Sequence, residues 1–297
     1  MTSLATTTFS APTSALLGDT MALGGVELTV TDLQRSIDFY VRVVGLAVHG
    51  REAGRAALGA GGEDLVVLHE NRAATPPGRR AGLYHYALLT SSREELARAA
   101  LRIAKARARI DGASDHGTHE AIYLPDPDGI GIELAADRPR ERWPDFSAED
   151  FLAHGPAPLD VGDLLASVAG EEPTELAGSG LKLGHVHLHV GELERARRFY
   201  RDGLGFAVTM ELPSAVFFAA AGYHHHVAVN TWRGTGIAAA PPDAIGLRHW
   251  TLILGGDAER TVVRERLDAL GVAVDEREDG LLARDDANIA VLLSVAR

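Results

Sequence analysis

The chain has 297 residues, 46% of them hydrophobic and 24% charged, with a formal net charge of −12 and no cysteine. That length suggests two domains with a sizeable core, and the acidic balance argues against a nucleic-acid or anionic-membrane partner. Without cysteine there are no disulfides, no thiol nucleophile and no thiolate metal site, so any metal must be held by His, Asp or Glu, a donor set that suits Fe(II), Mn or Zn.

The chain opens with MTSLATTTFSAPTSALLGDT, rich in Ser, Thr and Ala. It lacks the basic start and apolar block of a signal peptide, so residues 1–21 are expected to be a disordered tail. No apolar run is long enough to span a bilayer, and a cytoplasmic location is expected. From Gly25 the sequence reads GVELTVTDLQRSIDFYVRVVGLAV, an alternating strand and then an amphipathic helix starting near Asp32. From His185, 160 positions on, HVHLHVGELERARRFYRDGLGFAV repeats it: Val30 matches Val190, Leu33 matches Leu193, Phe39-Tyr40 match Phe199-Tyr200 and Gly45 matches Gly205. Weaker copies begin at His85 (HYALLTSSREELARAALRIAKARARI) and His249 (HWTLILGGDAERTVVRERLDALGVAV).

The chain therefore divides into four βαβββ modules near 23–72, 82–136, 182–232 and 246–296. The expected organisation is modules 1 and 2 over residues 22–140, a linker over 141–181 and modules 3 and 4 over 182–297. The linker is rich in Pro, Gly and charge, with one short helix expected around Val161–Val168. Near the end of module 3 stands AAAGYHHHVAVNTW (219–232), three histidines in what reads as a strand. Strand alternation would turn His224 and His226 to one face and His225 to the other. Taken alone, the triplet is as well explained by a solvated sheet edge.

The pattern resembles the vicinal oxygen chelate superfamily, which includes glyoxalase I, extradiol dioxygenases and bleomycin-resistance proteins. The resemblance rests on VTDLQRSIDFY, DPDGIGIEL and the landmarks GLYHYA (82–87), GHVHLHV (184–190) and GYHHH (222–226), and it covers nearly all of the chain after residue 22. It implies an α+β fold in which four βαβββ modules pair into two cupped, barrel-like sheets, with metal ligands on the first strand of each partner and the last strand of one or both. The first-strand slots fall on Gly25, His85, His185 and His249, and the last-strand slots on Glu133 and on Val291 or Leu292. Modules 2 and 3 together offer His85, Glu133 and His185, the two-histidine, one-carboxylate triad of non-haem Fe(II) oxygenases. Modules 1 and 4 would form a metal-free half.

Compared with the extradiol dioxygenases, Tyr123, ten residues before Glu133, matches a Tyr that reaches substrate or oxygen. His116, chosen over His119 in DHGTHEAIYL, matches a loop His. His225 matches an acid/base His, and a one-residue slip would move that role to His226. Imidazole, titrating near neutrality, suits taking a proton from a catechol hydroxyl and returning it later. The expected activity is that of an Fe(II)-dependent extradiol dioxygenase of the catechol 2,3-dioxygenase type, with Mn(II) accepted by the same ligands, a catechol and O₂ as partners, and a homo-oligomeric assembly. The rival readings are a glyoxalase-like isomerase or lyase, whose four-ligand site would need a second carboxylate, and a non-catalytic small-molecule-binding protein. His187 and His189 share the face of His185 and are expected to line the cup; His249 is expected to lack partners; His49, His69 and His154 belong to no constellation.

Overall fold

Local signals set where each helix starts. A computed structural model describes residues 17–144 and 155–296. Helix α1 (Leu33–Phe39) starts at Asp32, whose carboxylate accepts from the Arg35 N–H at 3.0 Å, and α2 (Arg93–Ala106) starts at Ser92, whose hydroxyl accepts from Glu95 N–H. Helix α3 (Val161–Ala166) lies in the expected linker, and α4 (Leu193–Arg197) and α5 (Asp257–Ala269) follow. The repeat extends to fine detail. Both α1 and α4 widen into a single π turn, at Tyr40–Val44 and Arg198–Gly203. Gly45 and Gly205 then take φ of +88° and +94°, which a side chain would strain.

The strands are β1 (Ala22–Val30), β2 (Ala47–Glu52), β3 (Arg55–Gly59) and β4 (Asp64–Glu70) in module 1, and β5 (Gly82–Leu89), β6 (Gly112–Asp115), β7 (His119–Pro125) and β8 (Gly131–Asp137) in module 2. A short β9 (Ala157–Pro158) precedes β10 (Lys182–His189), β11 (Ala207–Leu212), β12 (Ala215–Ala219) and β13 (Val227–Asn230) of module 3. Module 4 supplies β14 (Gly246–Leu254), β15 (Val274–Arg277), β16 (Gly280–Arg284) and β17 (Ala290–Val295). They form two mixed sheets, in the orders β15-β16-β17-β14-β1-β4-β3-β2 and β11-β12-β13-β10-β5-β8-β7-β6-β9. Modules 1 and 4 thus share one cupped sheet and modules 2 and 3 the other. The antiparallel seams are β1–β14 and β5–β10.

Modules 1 and 2, and likewise modules 3 and 4, lie in different sheets and meet through polar struts between them. The Tyr86 hydroxyl donates to Tyr40 at 3.0 Å, and Tyr40 donates to Asp126 at 3.4 Å. In the second half, Tyr200 donates to Asp285 at 3.0 Å. Each aspartate also accepts two backbone N–H groups of its own turn, from Asp128 and Ile130 or from Ala287 and Ile289. Of the expected tail, residues 1–16 lie outside the described residues. Leu17 and Met21 are buried, and the Leu17 N–H donates to Gly205 O, so the chain is anchored ahead of β1.

Burial raises both Asp126 and Asp285 to about 6, against the hydrogen bonds they accept. Their ordinary value is ~4, so the protonated form is favoured in the folded state. The resulting stabilisation is complete below the unfolded value and is lost as pH rises through 6. Thermal melts at successive pH should show the native protein losing up to about 3 kcal/mol per carboxyl relative to Asp126→Asn and Asp285→Asn between pH 4 and 8. A difference independent of pH would contradict the assignment.

Candidate metal centre

The site is built on the seam between β5 and β10. His85 lies opposite His187, and Ala87 opposite His185. On the other side of β5, β8 runs parallel with Glu133 beside Ala87. Alternation then puts His85, Glu133 and His185 on one face. The two Nε2 atoms are 3.4 Å apart, and each is 3.1 Å from Glu133 Oε2. All three residues are buried, and one donor atom from each lies within 4.8 Å of the others.

The electrostatics of Glu133 and His185 suit metal ligation. Burial alone would push Glu133 up, but His185, His119 and His85 hold it well below the usual carboxylate range. Burial lowers His185, keeping its imidazole neutral. Glu133 Oε1 is buried and has His119 Nε2 at 3.2 Å. Two imidazoles and one carboxylate converging in a buried site fit a divalent transition metal. Among the described residues, those of the other sheet included, no second group converges in this way. A Cβ on Gly25 would stand 2.6 Å from the Asp64 carbonyl oxygen. In β4, Val67 occupies the position beside Glu27, and Val291 is buried. In that cup, Glu27 holds His69 at 2.6 Å and lies 3.9 Å from His249, so neither histidine is without a partner. His154 is outside the described residues.

The wall on one side comes from β7. Tyr123 lies opposite Glu133, and its hydroxyl is 2.8 Å from His116 Nε2. His116 stacks on His119 with ring centroids 4.4 Å apart. His119, passed over in the sequence in favour of His116, approaches Glu133 Oε1 to 3.2 Å and Thr118 Oγ1 to 2.9 Å. The period-two pattern of β7 puts His119 and Tyr123 on one face, a signal present in the sequence. Burial, reinforced by His119, lowers His116 to about 3; burial and Glu133 raise Tyr123.

The histidine triplet is not in a strand. It lies in the turn before β13, where Ala221 and Gly222 take φ of +51° and +66°. Strand alternation therefore does not apply, and His224 and His225 both line the cavity. The His225 ring is 4.2 Å from that of His185, and His224 stacks on His119 at 4.7 Å. Their Nδ1 atoms are 2.8 Å apart, and His224 Nε2 is 3.2 Å from Asp137 Oδ1. His226 turns away: its Nδ1 accepts from the Ala220 N–H and its ring packs against Tyr223. Burial lowers His224 to about 4, against the pull of Asp137, and, with His185, holds His225 well below the usual imidazole range.

These groups enclose about 700 Å³, closed on its apolar sides by Leu124, Trp143, Met210, Phe217 and Trp232. His187 lines the same space. Its Nε2 accepts from the Asn230 amide at 2.9 Å, while the Asn230 oxygen is 2.7 Å from His189 Nδ1. His187 and His189 are thus tied to β13 rather than to the triad.

Comparison with known proteins agrees with this architecture. The family model described as glyoxalase/bleomycin resistance protein/dioxygenase superfamily matches residues 22–134 and 182–279. A Bacillus subtilis (strain 168) protein named catechol-2,3-dioxygenase is 36% identical over 278 residues, covering 92% of this chain and 96% of its own. Among solved structures, glyoxalase I from Zea mays superposes with a TM-score of 0.58 at 17% identity, over 92% of each chain. A Bacillus subtilis structure provisionally assigned as a dioxygenase gives 0.65 at 14% identity, over 94% of this chain and 85% of that one. Among the described residues no helix is long and apolar enough to cross a membrane. With its paired cups and matching family model, the chain belongs to the glyoxalase/bleomycin resistance protein/dioxygenase superfamily.

Proposed function

We propose that the protein is an Fe(II)-dependent extradiol dioxygenase that opens a catechol ring with O₂ next to its vicinal diol. The observation that carries this reading is the convergence of His85, Glu133 and His185 at the floor of a cavity walled by His225, His116 and Tyr123. The 36% identity to the Bacillus subtilis catechol-2,3-dioxygenase over nearly the full length of both chains supports it. A glyoxalase-type site would need a second carboxylate from β13, which carries only Val227, Ala228, Val229 and Asn230.

In this reading His85, His185 and Glu133 hold the ion, and Mn(II) fits the same donors. Bound there, iron(II) supplies the Lewis acidity and electron-transfer chemistry that catechol and O₂ need to react. The remaining work falls to the chain's own side chains. One carboxylate leaves the centre a net positive charge, which favours a deprotonated catechol oxygen. His225 takes the proton of the second hydroxyl and later returns it; a neutral imidazole next to the reacting atoms is suited to both transfers. Tyr123 and His116, joined by their 2.8 Å contact, steady substrate and oxygen from the opposite wall. The apolar walls limit water around the ring.

Anaerobic reconstitution should give one iron per chain by elemental analysis, and His185→Ala should lose it, since two protein ligands hold labile Fe(II) poorly. Two irons per chain, or none, would contradict a single complete triad. The loaded protein, given catechol in air, should form a yellow ring-opened product; iron bound without product rules out the activity. His225→Ala should keep its iron while turnover falls by about 10²–10⁴. Full turnover in His225→Ala together with loss in His224→Ala would move the proton-transfer role to the neighbour.

A further inference from the structure

The sequence pattern assigned no role to Asp137. It lies on β8 four residues beyond Glu133 and on the same face, opposite His119 of β7. The Tyr223 hydroxyl donates to its two oxygens at 2.9 and 3.1 Å, and His224 Nε2 lies 3.2 Å from Oδ1. The His224 ring is held in plane by His119 at 4.7 Å and by the edge of Trp143 at 5.2 Å. Beyond it, His224 Nδ1 meets His225 Nδ1 at 2.8 Å. His225 Nε2 has no hydrogen-bond partner among the described residues, and its ring lines the cavity.

We infer that Asp137 is a positioning residue that acts through His224 to hold His225 with its proton on Nδ1 and a bare Nε2 on the cavity side. The argument is one of donors and acceptors. A carboxylate only accepts, so the His224 proton must sit on Nε2; on Nδ1 it would leave two lone pairs facing each other at 3.2 Å. A neutral His224 then presents a lone pair at Nδ1. The 2.8 Å contact is attractive only if His225 Nδ1 carries the hydrogen. One proton per neutral ring leaves His225 Nε2 as the acceptor. The catalytic consequence rests on the proton-transfer role proposed above for His225: the relay sets that nitrogen as a base before substrate arrives.

Asp137→Asn tests the relay with little change of shape. In an asparagine the oxygen would take the Oδ2 position, accepting from the Tyr223 hydroxyl, and the amide the Oδ1 position, donating to His224 Nε2, which reverses both tautomers and puts the proton on His225 Nε2. Full-length protein labelled with ¹⁵N-histidine and free of paramagnetic metal would be examined by long-range ¹H–¹⁵N correlation. His225 is assigned by the signal lost in His225→Gln. The expected result is Nδ1–H with bare Nε2 in the native protein, reversal in Asp137→Asn, and return to the native pattern in Asp137→Glu. In the iron-loaded enzyme kcat should fall ~10²-fold in Asp137→Asn, with KM and iron content within about twofold. A native His225 protonated at Nε2, or an Asp137→Asn spectrum unchanged from native, overturns the inference. If Asp137→Asn fails to fold, the native and Asp137→Glu spectra still decide it. If no ring cleavage is seen in any form, the spectra decide the relay on their own, so the two ideas fail separately.

Discussion

The site depends on the antiparallel seam between β5 and β10. It alone brings His85, from the first half of the chain, against His185, from the second, with nitrogens 3.4 Å apart. A slip of one residue would turn every imidazole of β10 to the far face. A slide of two in one direction would bring His187 to the position of His185, because His185, His187 and His189 recur at every second residue. The register is held from both faces. On the core side Tyr86 of β5 is fully buried and hydrogen-bonded to Tyr40 of the other sheet. On the cup side Asn230 of β13 ties down both His187 and His189.

Each sheet therefore draws on both halves of the chain. The Tyr–Asp struts join the two modules within each half of the chain, while each sheet joins a module of the first half to one of the second. Such long-range pairing makes for a high contact order and slow folding. It also makes the two halves interdependent, since neither completes a sheet or buries its seam strand alone. The buried carboxyls at the two struts lie at equivalent places in the repeat, each accepting from a tyrosine within the π turn, Tyr40 or Tyr200. The struts thus belong to the duplicated design and are not an isolated contact.

Much of this was legible in the sequence where the cause is local. The repeat, the strand-then-helix rhythm and the helix start at Asp32 follow from periodicity and capping, which act over a few residues. The pairing of modules 2 and 3 was legible only through the ligand slots that the family resemblance implies: Gly25 and Val291 or Leu292 cannot bind a metal there, which left His85, Glu133 and His185 as the set expected to meet. The triplet was misread because Val227, Val229 and Trp232 carry strand propensity, while the turn at Ala221 and Gly222 rests on positive φ at a non-glycine residue, which no pattern announces. His119 lost to His116 on a family offset although β7 alternation favoured it. Asp137 was invisible because its partners Tyr223 and His224 are more than 80 positions away and meet it only after the seam forms.

The divided origin of the triad also orders events during biogenesis. His85 and Glu133 leave the ribosome well before His185, and β5 has no β10 to pair with until later still. An early ion would find a two-donor, solvent-open half-site with little hold on it. On the metal role proposed above, capture waits for module 3 to dock, and the same event that completes the donor set closes the wall of His224 and His225 over it. Metal loading would then be a late checkpoint: an occupied centre would certify that both halves of the chain have been made and correctly joined.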